Sequence, residues 1–309
     1  MLDPRRLRLL YEFANRGSIA ATADALGYTA SAVSQQLATL EKEAGVALLD
    51  RTARSAALTD SGQKLVNHAA HILGAIEAAE SDLAAQEEIP QGRVVVAAYP
   101  SAAVALAPPV AHRLRSHSAI TLELHQASAA DSTAQVRSGD VDIALIDDWS
   151  GTRRRSEVGS LSFHFLCHDP LVLVVPRDHP LADAKTIHLG ELADESWIAT
   201  LESEPARRAL ERLLRGAGIT PYMQWQFEGL DTVLTLVARG LGISIVPEMA
   251  VRDRRYDVVV HNFDTPIVGR DVYAVHRTAS AHRPAVATVL SLLRSAARSR
   301  LGQHEESHG

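Results

Sequence analysis

The sequence predicts an α+β chain of several domains: a small helical block with two short extended pieces, one long helix, and a C-terminal α/β region. Three observations carry this. Residues 1–59 hold three short amphipathic helical patterns. Residues 60–91 keep one heptad-like spacing, closed by Pro90, Gln91 and Gly92. From residue 92 onward, apolar strands alternate with helical patterns, the mark of an α/β domain. The 309 residues suit about two domains, and 46% hydrophobic with 22% charged residues is ordinary globular composition. A net charge of −6 gives no global basic footprint for nucleic acid. The single cysteine, Cys167, excludes an intrachain disulfide. Met1–Leu7 lacks an apolar run of signal-peptide length. The longest uncharged stretch, Val94–Ala111, contains Pro100, Pro108 and Pro109 and makes a poor membrane helix. A cytoplasmic chain without membrane contact is expected.

The first helix is expected over Pro4–Asn15, with Leu7, Leu10, Tyr11 and Ala14 on one face. Ser18 can cap a second, Ile19–Leu26, whose alanines let helices approach closely. Gly27 and Tyr28 turn the chain, and Thr29 can cap a third helix running to about Glu43. A short helix, a tight glycine turn and a second capped helix form a helix-turn-helix. On the third helix Val33, Leu37, Leu40 and Ala44 share the inner face, and Ser31, Gln35, Ala38 and Lys42 lie opposite. Ser34 and Gln36 flank them, and no charge occurs from Tyr28 to Leu40. Hydroxyls and amides on an exposed helix suit the major groove: Gln pairs with an adenine edge, Ser adapts, and Ala38 meets a thymine methyl. The alternative is an ordinary polar outer face.

Two extended pieces around Arg51 and Arg54 then read as a β-wing, whose arginines would sit on phosphates and position without reading sequence. Arg5, Arg6 and Arg8 either add to this or form a solvated first turn. Thr59 or Asp60 caps the long helix. Leu65, Ala69, Ile72, Ile76, Ala79 and Leu83 follow it in steps of 4, 3, 4, 3, 4, an a/d seam. Residues 65–91 carry net −5, against +1 before them and −2 after. The seam reads as a dimerisation helix; the alternative is one helix of a bundle core.

Phe13 to Gly62 closely resembles the winged helix-turn-helix of LysR-type transcriptional regulators. The matching residues are Gly17-Ser18, Ala20-Ala21, Ala25-Leu26, Ala32-Val33-Ser34-Gln35-Gln36-Leu37, Leu40-Glu41, Gly45-Val46, Leu48-Leu49, Asp50-Arg51-Thr52, Leu58-Thr59 and Gly62. The family often has Gln just after the Ser/Thr that starts the recognition helix, where this chain has Ala30. The resemblance implies a long linker helix and a two-lobed effector domain like a periplasmic solute-binding protein. It implies DNA as partner, a homodimer or homotetramer, and control by a small-molecule effector. The expected domains are 1–59 (reader), 60–91 (linker and dimerisation helix) and 92–301 (effector domain), with a flexible tail over 302–309. Lobe one takes 92–164 plus 268–301, and lobe two takes 165–267.

Within the effector domain, strands are expected at Arg93–Ala98, Ile120–Leu124, Val141–Ile146, Leu171–Val175, Gln224–Phe227, Ile243–Val246 and Val272–Val275, in largely parallel sheets. Helices are expected at Ser101–Arg115, Asp131–Ser138, Pro205–Arg215, Leu230–Arg239 and near Pro284–Ser299. Gly139–Leu145 and Gly240–Pro247 resemble family elements at the cleft. Ligands of open α/β sheets bind beyond the carboxyl ends of strands. That points to Tyr99-Pro100-Ser101, Ile146-Asp147, Thr200-Leu201-Glu202 and Phe227-Glu228, and places Pro100, Ser101, Ile146, Asp147, Thr200, Glu202 and Phe227 at the effector site. Ser101 either helps hold a carboxylate at its helix N-terminus or is a plain cap. Asp147, Asp148, Glu202 and Glu228 favour a cationic or zwitterionic ligand. His164, Cys167 and His168 have a possible metal spacing, but strand alternation would split them between faces, so no metal site is assigned. One cysteine also argues against the two-thiol switch of peroxide-sensing family members. Gly240-Leu241-Gly242 leads into a strand, the wrong context for a dinucleotide loop, and Arg153-Arg154-Arg155 reads as a solvated loop. No nucleophile elbow or phosphate loop occurs, so no catalytic residue and no resident cofactor are expected. The reading is a sequence-specific transcriptional regulator and not an enzyme. The alternative class is a solute-binding module or enzyme carrying an accessory helix-turn-helix.

Overall fold

The computed structural model describes residues 1–51, 56–84, 90–117, 119–152, 156–252, 256–263 and 269–306. The reader opens with α1 (Pro4–Arg16), α2 (Ile19–Leu26) and α3 (Ala30–Ala44). Each has its cap: Asp3 accepts from Arg5 N at 2.8 Å, Ser18 from Ala21 N at 3.1 Å, and Thr29 from Ala32 N at 3.2 Å. Such caps are worth about 1 kcal/mol apiece. Leu7, Leu10, Phe13, Val33, Leu37, Leu40 and Leu48 form one buried core.

Glu41 sets the wing. Its carboxylate accepts from Leu48 N at 2.9 Å and Leu49 N at 3.0 Å, which aims the chain into β1 (Leu49–Arg51). This strand pairs antiparallel with β2 (Ala56–Leu58). Thr59 then caps α4 (Asp60–Ala84), accepting from Gly62 N at 3.0 Å. Gly62 is needed for close approach, since a Cβ there would lie 2.1 Å from the Leu48 carbonyl oxygen.

The effector domain contains β3 (Gly92–Ala98), α5 (Pro100–Leu114), β4 (Ile120–Gln126), α6 (Ala129–Ser138) and β5 (Ile143–Asp148). Next come β6 (Glu157–Val158), β7 (Leu161–Asp169), β8 (Leu171–Pro176), β9 (Ile198–Thr200), α7 (Pro205–Gly216) and β10 (Trp225–Phe227). It closes with α8 (Leu230–Ala238), β11 (Ser244–Pro247), α9 (Glu248–Val251), β12 (Val258–His261), β13 (Arg270–Arg277) and α10 (Pro284–Glu306). Lobe one is built on the sheet β4-β3-β5-β13-β7-β6, and lobe two on β11-β8-β12 with β10-β9 beside it. α5 continues through Pro108 and Pro109, because Leu106, Val110 and Leu114 bury in one core with Val286, Val289 and Leu293 of α10.

Three expectations are corrected. The sheets are mixed rather than largely parallel: β3 is parallel to β4 and β5, but β13 is antiparallel to β5 and β7, and β8 to β11 and β12. The cause is the double crossover. β7 carries the chain out of lobe one, and β13 brings it back between β5 and β7 in the opposite sense. Secondly, β7 stays in the lobe-one sheet to Asp169, past the boundary expected after residue 164. The two crossings touch at Gly269, where a Cβ would lie 2.2 Å from the Asp169 carbonyl oxygen, so only glycine fits. Thirdly, α10 runs to Glu306, past the end of the effector domain expected at residue 301.

Candidate nucleic-acid interface and effector cleft

On α3, Val33, Leu37 and Leu40 are buried, while Ser31, Gln35 and Gln36 are exposed and Ser34 is half-buried. Thr29 and Ser31 hydroxyls share a hydrogen bond at 3.0 Å, which ties Ser31 to the cap. Tyr28 is 54% exposed just before the cap. In the sequence it reads as a turn residue only; the signal that marks it is a large aromatic directly before the cap of the reading helix. Arg6 pairs within the domain, with Asp3 at 2.9 Å and Glu43 at 3.4 Å. Arg51 lies on β1, but its side chain, and all of Arg54, fall outside the described residues. So does Arg153-Arg154-Arg155.

The α4 seam divides in two. Ala69 is fully buried and Leu65 half-buried in the reader's own core, because the first turns of α4 pack on α1. These two are corrected from partner contacts to intrachain packing. Ile72 and Ile76 remain 39% and 38% exposed, and Ala79 is exposed too. The Leu83 side chain is outside the described residues.

The cleft lies where α5, α7 and α8 begin and where the chain crosses between lobes. It encloses about 200 Å³. Tyr99, Pro100, Ser101 and Asp147 line it, as expected, together with Trp149, Glu204, Asp231 and Arg270. The sequence reading missed Arg270, which organises the site while only 3% exposed. Its Nε donates to Asp169 at 2.9 Å, its Nη1 to Asp147 at 3.2 Å and its Nη2 to Ser101 Oγ at 2.7 Å. Its guanidinium carbon lies 4.6 Å from the Tyr99 ring centre and 5.6 Å from that of Trp149. Burial opposes its charge, yet Tyr99, Asp169 and Asp147 outweigh burial and hold its pKa above the ordinary arginine value. Burial likewise pushes the Tyr99 phenol well above its ordinary value. Ser101 accepts from Arg270, so its own proton stays available to a ligand.

Four expected cleft residues lie elsewhere. Ile146 points to the opposite face of its sheet, into a core with Val95, Ala144 and Tyr273, because neighbours on a strand alternate. Thr200 is buried behind the cleft, its carbonyl accepting from Arg207 at 3.3 Å. Glu202 is exposed, and Phe227 is half-buried; neither lines the cavity, because the chain turns from β9 and β10 into helices whose first residues do. Asp148 accepts from Ser150 N at 2.9 Å and Glu228 is exposed, so their place as cleft carboxylates passes to Glu204 and Asp231. Glu204 accepts from Gly229 N at 3.1 Å, tying the start of α7 to that of α8.

β7 sends its three possible metal ligands apart: His168 bonds Asp271 at 2.8 Å, Cys167 is buried in the lobe-one core, and His164 meets His276 at 2.8 Å. His276 donates through Nδ1 to the Arg277 carbonyl at 2.6 Å, which leaves its Nε2 as the acceptor of the His164 proton. Burial pushes both imidazoles below 6.5; His276 and Arg294 add to the effect on His164, while on His276 the hydrogen bond to the Arg277 carbonyl opposes burial and the Arg277 charge adds to it. A base with a depressed folded-state pKa binds fewer protons folded than unfolded. Stability is therefore expected to fall as pH drops below 6.5 towards the folded-state values. Urea midpoints of wild type and His276→Gln between pH 7.5 and pH 5 check this: the variant's slope should be shallower, and equal slopes would remove the pair from the account.

A polar, uncharged helix face beside a wing, joined in one chain to a two-lobed cleft, defines a DNA-binding regulator with a ligand-sensing domain. Residues 4–63 match the family model "Bacterial regulatory helix-turn-helix protein, lysR family", and residues 87–298 match "LysR substrate binding domain". The chain belongs to the LysR family: it is a DNA-binding transcriptional regulator with an effector domain. It is 28% identical over 248 residues to the transcriptional dual regulator GltC of Bacillus subtilis (strain 168), covering 80% of this chain and 81% of that protein. It is 26% identical over 262 residues to the DNA-binding transcriptional dual regulator OxyR of Escherichia coli (strain K12), covering 84% of each. A full-length OxyR variant from Pseudomonas aeruginosa shares the fold with TM-score 0.74 at 21% identity, over 96% of this chain and 97% of that one. CbnR in complex with its target DNA gives TM-score 0.55 at 22% identity, over 96% and 100%. No described helix is long and apolar enough to cross a membrane.

Proposed function

We propose that this regulator reads its operator through Ser31, Ser34, Gln35 and Gln36, with Arg51 and Arg54 on flanking phosphates, as a dimer or tetramer joined along α4. The observation that carries this is the exposed, uncharged polar face of α3 over a buried apolar one. The protein works in the cytoplasm, turns over no cleft ligand and carries no resident cofactor. Turnover of a cleft ligand would favour the enzyme reading instead. Gln35→Ala is expected to cost about 1–3 kcal/mol on the operator and to relax preference at one position per half-site. Arg51→Ala weakens all sequences together and flattens the salt dependence. Gel shifts on the DNA upstream of the gene and on random DNA compare the two; equal losses for Gln35→Ala on both would show that it reads nothing.

The effector is a small zwitterion. Glu204, Asp231 and Asp147 outnumber Arg270 around the cavity, which favours a cationic group. The start of α5, with the Ser101 hydroxyl, favours a carboxylate. Ligand binding shifts the population of lobe arrangements, and the spacing or bend of the bound DNA follows. Ser101→Phe is expected to keep operator binding and abolish the effector response, while Ser101→Ala weakens that response by less. A reporter titration with candidate metabolites, beside a gel shift without them, checks both. An unchanged dose response in Ser101→Phe would put the effector elsewhere.

A further inference from the structure

The reader touches lobe one of its own chain through a set of polar contacts that neither DNA reading nor the cleft explains. Arg16, in the last turn of α1, places Nη2 2.5 Å from Asp140 Oδ2 in the turn between α6 and β5. The same guanidinium holds Glu12 Oε2 through Nε at 3.0 Å. Beside it, the Tyr11 hydroxyl donates to the Arg137 carbonyl at 3.0 Å. We infer that Glu12, Arg16 and Asp140, with Tyr11 on the Arg137 carbonyl, are positioning residues that fix the orientation of the reader against lobe one within a single protomer.

Both ends of this contact are anchored. Glu12 is 1% exposed, and a carboxylate so buried demands a partner, which fixes the Arg16 fork in the direction of lobe one. Burial raises the Glu12 pKa, with Arg16 opposing it. On the other side Ser138 Oγ donates to Asp140 Oδ2 at 2.9 Å. Two residues further, Asp142 accepts from Val95 N at 2.9 Å and pairs with Arg283. The turn therefore moves with the lobe-one sheet.

The chain path gives the contact its use. β5 follows the turn directly, is hydrogen-bonded to β3 and β13, and ends beside Asp147, which bonds Arg270 in the cleft. A strand of this length spans about 20 Å. One rigid element thus meets the reader at one end and the ligand cavity at the other. On the reader's side, Leu7, Leu10 and Phe13 of α1 share a core with Val33, Leu37 and Leu40 of α3. A reorientation of lobe one reaches the reading helix through α1 without needing a second protomer.

The test uses the full-length protein with spin labels at Asp24→Cys in the reader and Arg115→Cys in lobe one, both exposed; Cys167 is buried and stays unlabelled. Labelled protein is mixed with an excess of unlabelled protein, so intrachain distances dominate the pulsed dipolar signal. The parent and Asp140→Glu, which keeps the carboxylate, should give one narrow distance distribution. Asp140→Lys, which faces Arg16 with a like charge, should broaden it at least twofold. Asp140→Asn and Tyr11→Phe, which remove one bond each without repulsion, should broaden it less, and they carry the test should Asp140→Lys lower the melting temperature. Distributions unchanged in Asp140→Lys and Asp140→Asn would overturn the inference. Equal broadening in Asp140→Glu and Asp140→Lys would overturn it too, since charge would then be irrelevant.

Discussion

Replacing Ile72 and Ile76 together by glutamate is expected to yield monomers. The two side chains are the large apolar groups that the described part of α4 leaves uncovered, at 39% and 38% exposure. A partner can bury only the remaining two-fifths of each, worth about 0.6–1.2 kcal/mol, so the pair contributes about 1–2 kcal/mol per protomer. Glutamate reverses the sign, because carboxylates in an apolar seam must be desolvated and repel their copies on the partner helix. The reader fold itself should survive, since Leu65, Val66 and Ala69, not the isoleucines, pack into its core. Sedimentation velocity reads the result: monomers with retained helical circular dichroism are expected, together with loss of tight binding to paired half-sites. A folded dimer surviving the double change would remove the seam from the account.

Arg270→Met should destabilise the effector domain by about 3–5 kcal/mol, the range for breaking a buried pair by deleting one partner. Methionine leaves Asp147 and Asp169 in the same buried site without their shared cation, and deprives Ser101 of its donor. Asp169 also accepts from Met249 N at 2.8 Å, so strain there reaches α9 in lobe two. Urea titration at pH 7.5 measures the loss. A loss below about 1 kcal/mol at pH 7.5 would show that Arg270 is not the keystone of the crossover.

What the sequence revealed follows from range. The reader helices and the start of α4 are local, set by capping residues beside apolar residues at helical spacing: Ser18 and Thr29 cap α2 and α3 as read, and of the two caps read for α4 it is Thr59 that forms. The outer face of α3 was legible for the same reason: Val33, Leu37 and Leu40 fix which side is buried. The cleft was legible only where one element supplies it. Pro100, Ser101 and Asp147 sit at the ends of consecutive units in lobe one. Arg270 reaches Ser101 across 169 positions, and no local spacing announces that. Ile146 was misplaced because a strand end names two neighbours but only one of them faces the cavity. The antiparallel course of β13 had no signal in its own residues; it depends on where the chain returns from lobe two. Ala69 fits the heptad spacing and the reader core equally well, and packing against α1 decides between them.

The central claim is that α3 reads a DNA sequence under the control of a cleft ligand. DNase I footprinting of the DNA upstream of the gene, with wild-type and Gln35→Ala protein and with and without small zwitterionic metabolites, tests it most directly. The account predicts two protected half-sites about one helical turn apart. It also predicts loss of that protection in Gln35→Ala at concentrations where random DNA is still bound equally by both proteins, and a changed footprint with one ligand class. Protection that survives Gln35→Ala unchanged, or no protection beyond that seen on random DNA, would contradict it.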